Sequence, residues 1–256
     1  MRPRGKTGYV SAGAFAATLL TSSIALEAAT APNDLLRVAN RAAEAGEFDT
    51  ALKHYQTLVD ASPKASGAWF NLGNAAYRAG QLARAIAAYR IAETHAPRDP
   101  RVLANLDIAR QDVESRVVPP QAPAALRGLF FWHFSFSPAE LGWLTVTVSV
   151  GFWILAALAL RQRALRPLPL LLGTVLVSLV AGSYVLREWS PRRLAVVKRD
   201  NAPARAATNR RADVLFELQE GAEIEWRERS GVWVRVSLPS GQQGWIHNEE
   251  LFVLEL

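Results

Sequence analysis

The chain has 256 residues, half of them apolar, with 29 Lys and Arg against 23 Asp and Glu and no cysteine. The absence of cysteine excludes disulfides, thiolate metal sites and cysteine nucleophiles. The net charge of +6 does not read as a nucleic-acid signature: much of the arginine (Arg161, Arg163, Arg166, Arg187, Arg192, Arg193) flanks apolar segments, and no basic stripe carries interleaved aromatics.

Residues 1–25 have the layout of an export signal. Arg2, Arg4 and Lys6 form a basic start, Tyr9–Leu26 is uncharged, and Ser23-Ile24-Ala25 offers small residues for cleavage, which predicts a mature start near Leu26.

A period of 34 residues follows, relating Leu35, Trp69 and Leu103, and likewise Val38, Leu72 and Leu106. Gly46/Gly80, Ala51/Ala85, Tyr55/Tyr89 and Pro63/Pro97 keep the same register. Each unit predicts two helices joined at a glycine and ended by a proline, which cannot continue the hydrogen-bond ladder. Residues 32–65 and 66–99 form two units, and 100–116 repeats only the first-helix pattern as a polar cap carrying Asp107 and Arg110. One unit cannot bury its apolar face alone and three are the usual minimum, so an array this short has reason to lean on something else. Trp69-Phe70-Asn71-Leu72-Gly73, then Ala85 to Tyr89, then Pro97 resembles the tetratricopeptide repeat. That resemblance implies a peptide groove lined by the first helices, with Asn40, Phe70, Asn71, Asn74, Tyr77, Arg78 and Arg101 on its surface. Asn40, Asn71 and Arg101 also fit the subclass that clamps a C-terminal carboxylate. Leu36 and Asn105 stand where that scheme has basic residues, so a generic protein or peptide groove is the expectation.

Residues 117–138 combine a proline-rich spacer with an aromatic run, Leu129 to Phe136, suited to a membrane interface. His133 lies within it with no companion ligand, which reads as an interfacial side chain. Leu141–Leu160 and Pro167–Leu186 are uncharged runs of 20 residues, and at ~1.5 Å per residue each reaches across a ~30 Å hydrocarbon core. The short Arg161–Arg166 connection predicts an antiparallel hairpin. Export of the N-terminus predicts a bacterial inner-membrane protein whose soluble modules both face the periplasm. The basic residues Arg187, Arg192, Arg193, Lys198 and Arg199 favour the reverse topology.

From Leu194 the period becomes two, predicting strands at Leu194–Lys198, Val214–Leu218, Glu223–Arg227, Trp233–Ser237 and Gly244–His247 in a small closed barrel at 194–256. Leu218-x-x-Gly221, Gly231-x-Trp233-x-x-Val236 and Gly241-x-x-Gly244-Trp245-Ile246 resemble the bacterial SH3-like domain. Such domains bind peptides or cell-wall stems, which makes Trp226, Trp233, Arg235 and Trp245 a candidate ligand face; packing alone is the competing role for the tryptophans.

The fold class expected is therefore multidomain: an all-α repeat array, a two-helix transmembrane hairpin and a small all-β SH3-like barrel. His54, His95, His133 and His247 fall in different segments, and neither phosphate loop nor metal-ligand spacing occurs, so no catalytic residue, metal or cofactor is expected. Signal, repeats, hairpin and barrel in this order resemble BatE-type proteins of the Bacteroides aerotolerance group. The resemblance implies a scaffold working beside von Willebrand-type membrane proteins and a MoxR-type ATPase. A peptidoglycan-binding, wall-tethered sensor and an assembly chaperone for a secreted cofactor protein are the alternatives. Partners are thus proteins or peptides, peptidoglycan and the lipid bilayer, with no nucleic acid.

Overall fold

A computed structural model describes residues 33–114, 123–161, 167–189 and 193–255. The predicted export signal, most of the proline-rich spacer and the turn containing Arg163 and Arg166 lie outside them.

The repeats fold as five antiparallel helices: α1 (residues 33–44), α2 (Phe48–Ala61), α3 (Ser66–Arg78), α4 (Leu82–His95) and α5 (Pro100–Gln111). The turn within each unit needs a left-handed residue, and Gly46 (φ +80°) and Gly80 (φ +73°) supply it 34 positions apart. Trp69 donates its indole N–H to the Pro63 carbonyl (2.8 Å), tying α3 to the turn before it. Asp99 caps α5 by accepting from the Arg101 N–H (3.0 Å), with Pro100 in the first turn. Alanines at 51, 75, 76, 85, 88 and 92 are buried between the helices and let their backbones approach.

Two short helices, α6 (Ala124–Leu129) and α7 (Phe131–Ser135), carry the aromatic run to the long pair α8 (Pro138–Arg161) and α9 (Pro167–Trp189). Ser137 and Glu140 form a reciprocal cap on α8. The Ser137 N–H donates to Glu140 Oε2 (2.8 Å) and the Glu140 N–H to Ser137 Oγ (3.3 Å). A Cβ on Gly142 would meet Tyr184, and one on Gly173 would meet Phe152, so the start of α8 lies beside the end of α9 and the two helices run antiparallel. This is the antiparallel hairpin that the short connection predicts. Both helices are long and apolar enough to cross a membrane. Trp143 (74% exposed), Trp153, Leu155 and Leu171 stand uncovered on their outer surface.

The C-terminal domain is one antiparallel sheet of seven strands in the order β3-β2-β6-β5-β4-β1-β7. The strands are β1 (Arg193–Val197), β2 (Ala202–Arg205), β3 (Val214–Leu218), β4 (Glu223–Ser230), β5 (Trp233–Ser237), β6 (Gln243–His247) and β7 (Leu251–Glu255). All seven send side chains into one interior, including Val197, Ala204, Leu218, Ile224, Val234, Val236, Ile246 and Leu251, so the sheet curls as a small barrel must. Among the described residues no strand ladder joins β3 to β7. Five of the strands are those expected from the sequence. β2 and β7 were not expected. Pro203 disguises β2, and it is tolerated because β2 meets β6 only at Arg205↔Trp245.

The repeats and the barrel pack against each other. β1 and β7 are buried on both faces: Ala195 and Val197 point into the barrel, while Leu194, Val196 and Leu254 join the hydrophobic core of the repeats. Register places these residues side by side, Leu194 opposite Leu254 and Val196 opposite both Phe252 and Glu223. The short array leans on the barrel.

Candidate functional site

Two surfaces and one joint carry the polar chemistry of the soluble modules. The first surface is a groove of about 380 Å³ on the first-helix side of the repeats, bordered by Asn40, Asn71, Asn74, Tyr77, Arg78 and Asn105 among others. Its wall is built from a repeated pair. The Tyr55 hydroxyl donates to Asn40 Oδ1 (2.7 Å), and 34 residues later the Tyr89 hydroxyl donates to Asn74 Oδ1 (2.8 Å). Asn105 Nδ2 adds a second bond to the Asn74 oxygen (2.8 Å). Each tyrosine comes from a second helix and reaches through the array to an asparagine on a first helix. Burial pushes the Tyr89 phenol up to about 12, so it stays a donor at any physiological pH. Tyr77 donates to Asp112 (2.7 Å), joining the end of α3 to the end of α5.

Of the residues expected along the groove, Asn40, Asn71, Asn74, Tyr77 and Arg78 line it. Phe70 and Arg101 sit together outside that lining. The Arg101 guanidinium lies 5.4 Å from the Phe70 ring centre and its nitrogens bind Asp99 (3.1 and 2.7 Å). Tyr55 and Tyr89 line the groove and were not singled out as site residues from the sequence, although they share the 34-residue register; Asn105, noted only as departing from the carboxylate-clamp scheme, lines it too.

The second surface is the outer face of β5 and β6. Trp233 stands opposite His247 and Arg235 opposite Trp245 in the register, with the Trp233 and His247 rings edge to face at 5.3 Å. The Arg235 guanidinium lies 5.9 Å from the Trp245 ring centre. Trp233 is only 8% exposed, and Trp245 and Arg235 are more open. Trp226 is not with them. It pairs with Val236 on the inner side, is 7% exposed, and donates its N–H to the Leu254 carbonyl (3.2 Å). A bulge between Trp226 and Glu228 shifts the register just beyond this pair, so that Glu228, not Arg227, sits opposite Arg235.

The joint centres on Glu223. Its side chain, 4% exposed, accepts from Arg90 Nε of α4 and from Arg110 of α5 (Nε 2.5 Å, Nη2 3.2 Å). Burial alone would raise the Glu223 carboxyl, but the Arg110 hydrogen bond and the charges of Arg90 and Arg110 outweigh it and hold it below its ordinary value. Arg110 is therefore part of the joint rather than a solvent-facing cap residue. Glu220 accepts from the Ala83 N–H (3.1 Å), satisfying a first-turn donor of α4 from the barrel side. Between these acids, Gly221 (φ +79°) enters so closely that a Cβ would lie 2.8 Å from Val113 and 3.0 Å from Ile86. At the far end of the repeats Arg98 pairs with Glu140 and lies 4.7 Å from the Phe136 ring centre, fastening the array to the start of α8.

No curated protein matches the chain. Two family models do: residues 36–100 match the tetratricopeptide repeat and residues 200–252 the bacterial SH3 domain, so the chain carries both modules.

Proposed function

We propose that the protein is a non-enzymatic scaffold of the bacterial inner membrane, with the repeat groove and the barrel both on the periplasmic side, recruiting proteins into a Bat-type envelope complex. The observation that carries this reading is the groove itself. Its Asn40 and Asn74 oxygens are already taken by tyrosine hydroxyls. What these asparagines offer a ligand is therefore amide N–H, suited to the main-chain carbonyls of an extended partner segment. The partners in view are von Willebrand-type membrane proteins and a MoxR-type ATPase system. Crosslinking in membranes followed by co-purification tests it: Asn71→Ala with Tyr77→Ala should lose the recovered partners, and unchanged recovery overturns the assignment. Reporter fusions after Gln121, Ala164 and Leu256 test the orientation.

A second reading has its own support in the half-open Trp245–Arg235 face of the barrel, whose neighbouring ring and guanidinium suit a cell-wall stem peptide or sugar. Under it the protein is a wall-tethered sensor. The detergent-solubilised full chain should then be retained on purified sacculi and released by Trp245→Ala; no retention removes this reading.

A further inference from the structure

We propose that the barrel sets the groove: its docking on α4 and α5 holds the asparagine–tyrosine lattice in place, and α4 couples the two. This concerns the order of the groove and stands whether or not a peptide proves to be the ligand.

The coupling element is visible in consecutive residues. Tyr89 reaches the groove and binds Asn74, while Arg90 faces the barrel and binds Glu223. One turn earlier Ile86 meets the Gly221 turn, and at the helix start the Ala83 N–H is satisfied by Glu220. Helix α4 is buried over most of its circumference, with Ala83, Ala85, Ile86, Ala87, Ala88, Tyr89 and Ala92 all covered. A helix so enclosed does not shift on one side alone, because packed interiors respond as units and not by continuous deformation. The ring of Tyr89 also lies directly over Gly73 of α3, where a Cβ would come within 2.5 Å of it. Movement of α4 therefore passes to α3, which carries Asn71, Asn74, Tyr77 and Arg78. Arg110 adds a parallel route through α5, where Asn105 holds the same Asn74 oxygen.

An array of two units and a cap has few neighbours to hold its last second helix, and stability in such arrays is a sum of nearest-neighbour contacts. The barrel supplies the missing neighbour on the convex side and leaves the concave side open. Among the described residues, the hydrogen bonds and ion pairs that cross the joint land on α4 and α5, so α3 reports what is transmitted rather than what is touched.

The test is hydrogen exchange on the full chain in lipid nanodiscs, without added ligand, comparing the natural protein with Glu223→Gln and Arg110→Gln. The first substitution removes the carboxylate that Arg90 and Arg110 share, from the barrel side; the second removes one of the two guanidiniums that hold it, from the repeat side. Exchange in α4 and in residues 71–78 of α3 should rise together by at least ~10-fold, the factor that 1.4 kcal/mol of lost coupling produces. Amides of β5 and β6 in the same sample show whether the barrel itself stays folded; should Glu223→Gln loosen them, Arg110→Gln decides. The proposal is overturned if α3 keeps its protection while α4 and α5 loosen, or if none of the three responds.

Discussion

Gly73 and Gly67 lie in the same helix, α3, and the structure assigns opposite signs to the same change at the two positions. A Cβ at Gly67 meets nothing within 4 Å, whereas one at Gly73 would sit 2.5 and 2.6 Å from two ring carbons of Tyr89. Carbon atoms attract best at ~3.5–4.0 Å, so the ring would have to retreat by about 1 Å. Tyr89 has nowhere to go. It is 1% exposed, the Phe70 ring centre is 6.2 Å away, and its hydroxyl is fixed on Asn74. Overpacking costs ~1–3 kcal/mol and the strained hydrogen bond about 1 more. Alanine returns about 1 kcal/mol of helix propensity. Gly73→Ala should therefore destabilise the repeats by roughly 1–3 kcal/mol, while Gly67→Ala should stabilise them by ~0.4–1 kcal/mol. The measurement is urea unfolding followed by helical circular dichroism on the full chain in detergent, taking the transition assigned to the repeats. Adding Tyr89→Leu to Gly73→Ala should recover more than the sum of the single changes allows, because the two sites touch. Equal stabilisation by both alanines would refute the packing argument at the α3–α4 crossing.

Gly221→Ala combines a left-handed backbone with contact against Val113 and Ile86, and should cost about 2–4 kcal/mol in the same unfolding assay. Gly241→Ala (φ +88°, with nothing within 4 Å) should cost only the backbone part, ~1–2 kcal/mol. Because the folded Glu223 carboxyl lies below its ordinary 4.5, its contribution to the joint is complete above about that pH and is lost as pH falls through the lower folded value. Spin labels on Lys53→Cys and Ser240→Cys should then give one narrow distance from pH 8 to pH 5 that broadens only in stronger acid; broadening between pH 7 and 5 would contradict the linkage. In the hairpin, Gly173→Val would drive a side chain into the Phe152 ring and should widen the spacing of labels at Ala139 and Leu186 in vesicles. Gly182→Val, which meets nothing within 4 Å, should leave that spacing unchanged.

The repeats were legible because every unit must meet the same neighbours at the same places, which forces side-chain type to recur at 34 residues. The strands Val214–Leu218 and Trp233–Ser237 were legible in full, each ended by turn residues. The joint was not, since it has no local period. Beyond the shortness of the array, its signal was the unbroken run Leu194-Ala195-Val196-Val197, apolar on both faces where a half-exposed strand would alternate. Glu223 looked like an ordinary surface acid because the two arginines that bury it are 133 and 113 positions away. Trp226 was grouped with Trp233 and Trp245 by residue type. Its place two residues after Ile224 and opposite Val236 puts it on the interior face instead. In the groove, Asn40 and Asn74 could be placed by register, but that Tyr55 and Tyr89 lock their oxygens depends on side chains crossing between helices.

The 133 positions between Arg90 and Glu223 also impose an order of events on biosynthesis. At ~5–20 residues per second, a ribosome needs roughly 7–27 seconds to travel from one to the other. Throughout that interval the outer side of α4 has no barrel to cover it, and both long helices, α8 and α9, are made before β1 emerges. The nascent polypeptide thus carries a bare, alanine-rich helix flank on which Arg90 has only Glu93 of its own helix for company, until β1, β4 and β7 close over it.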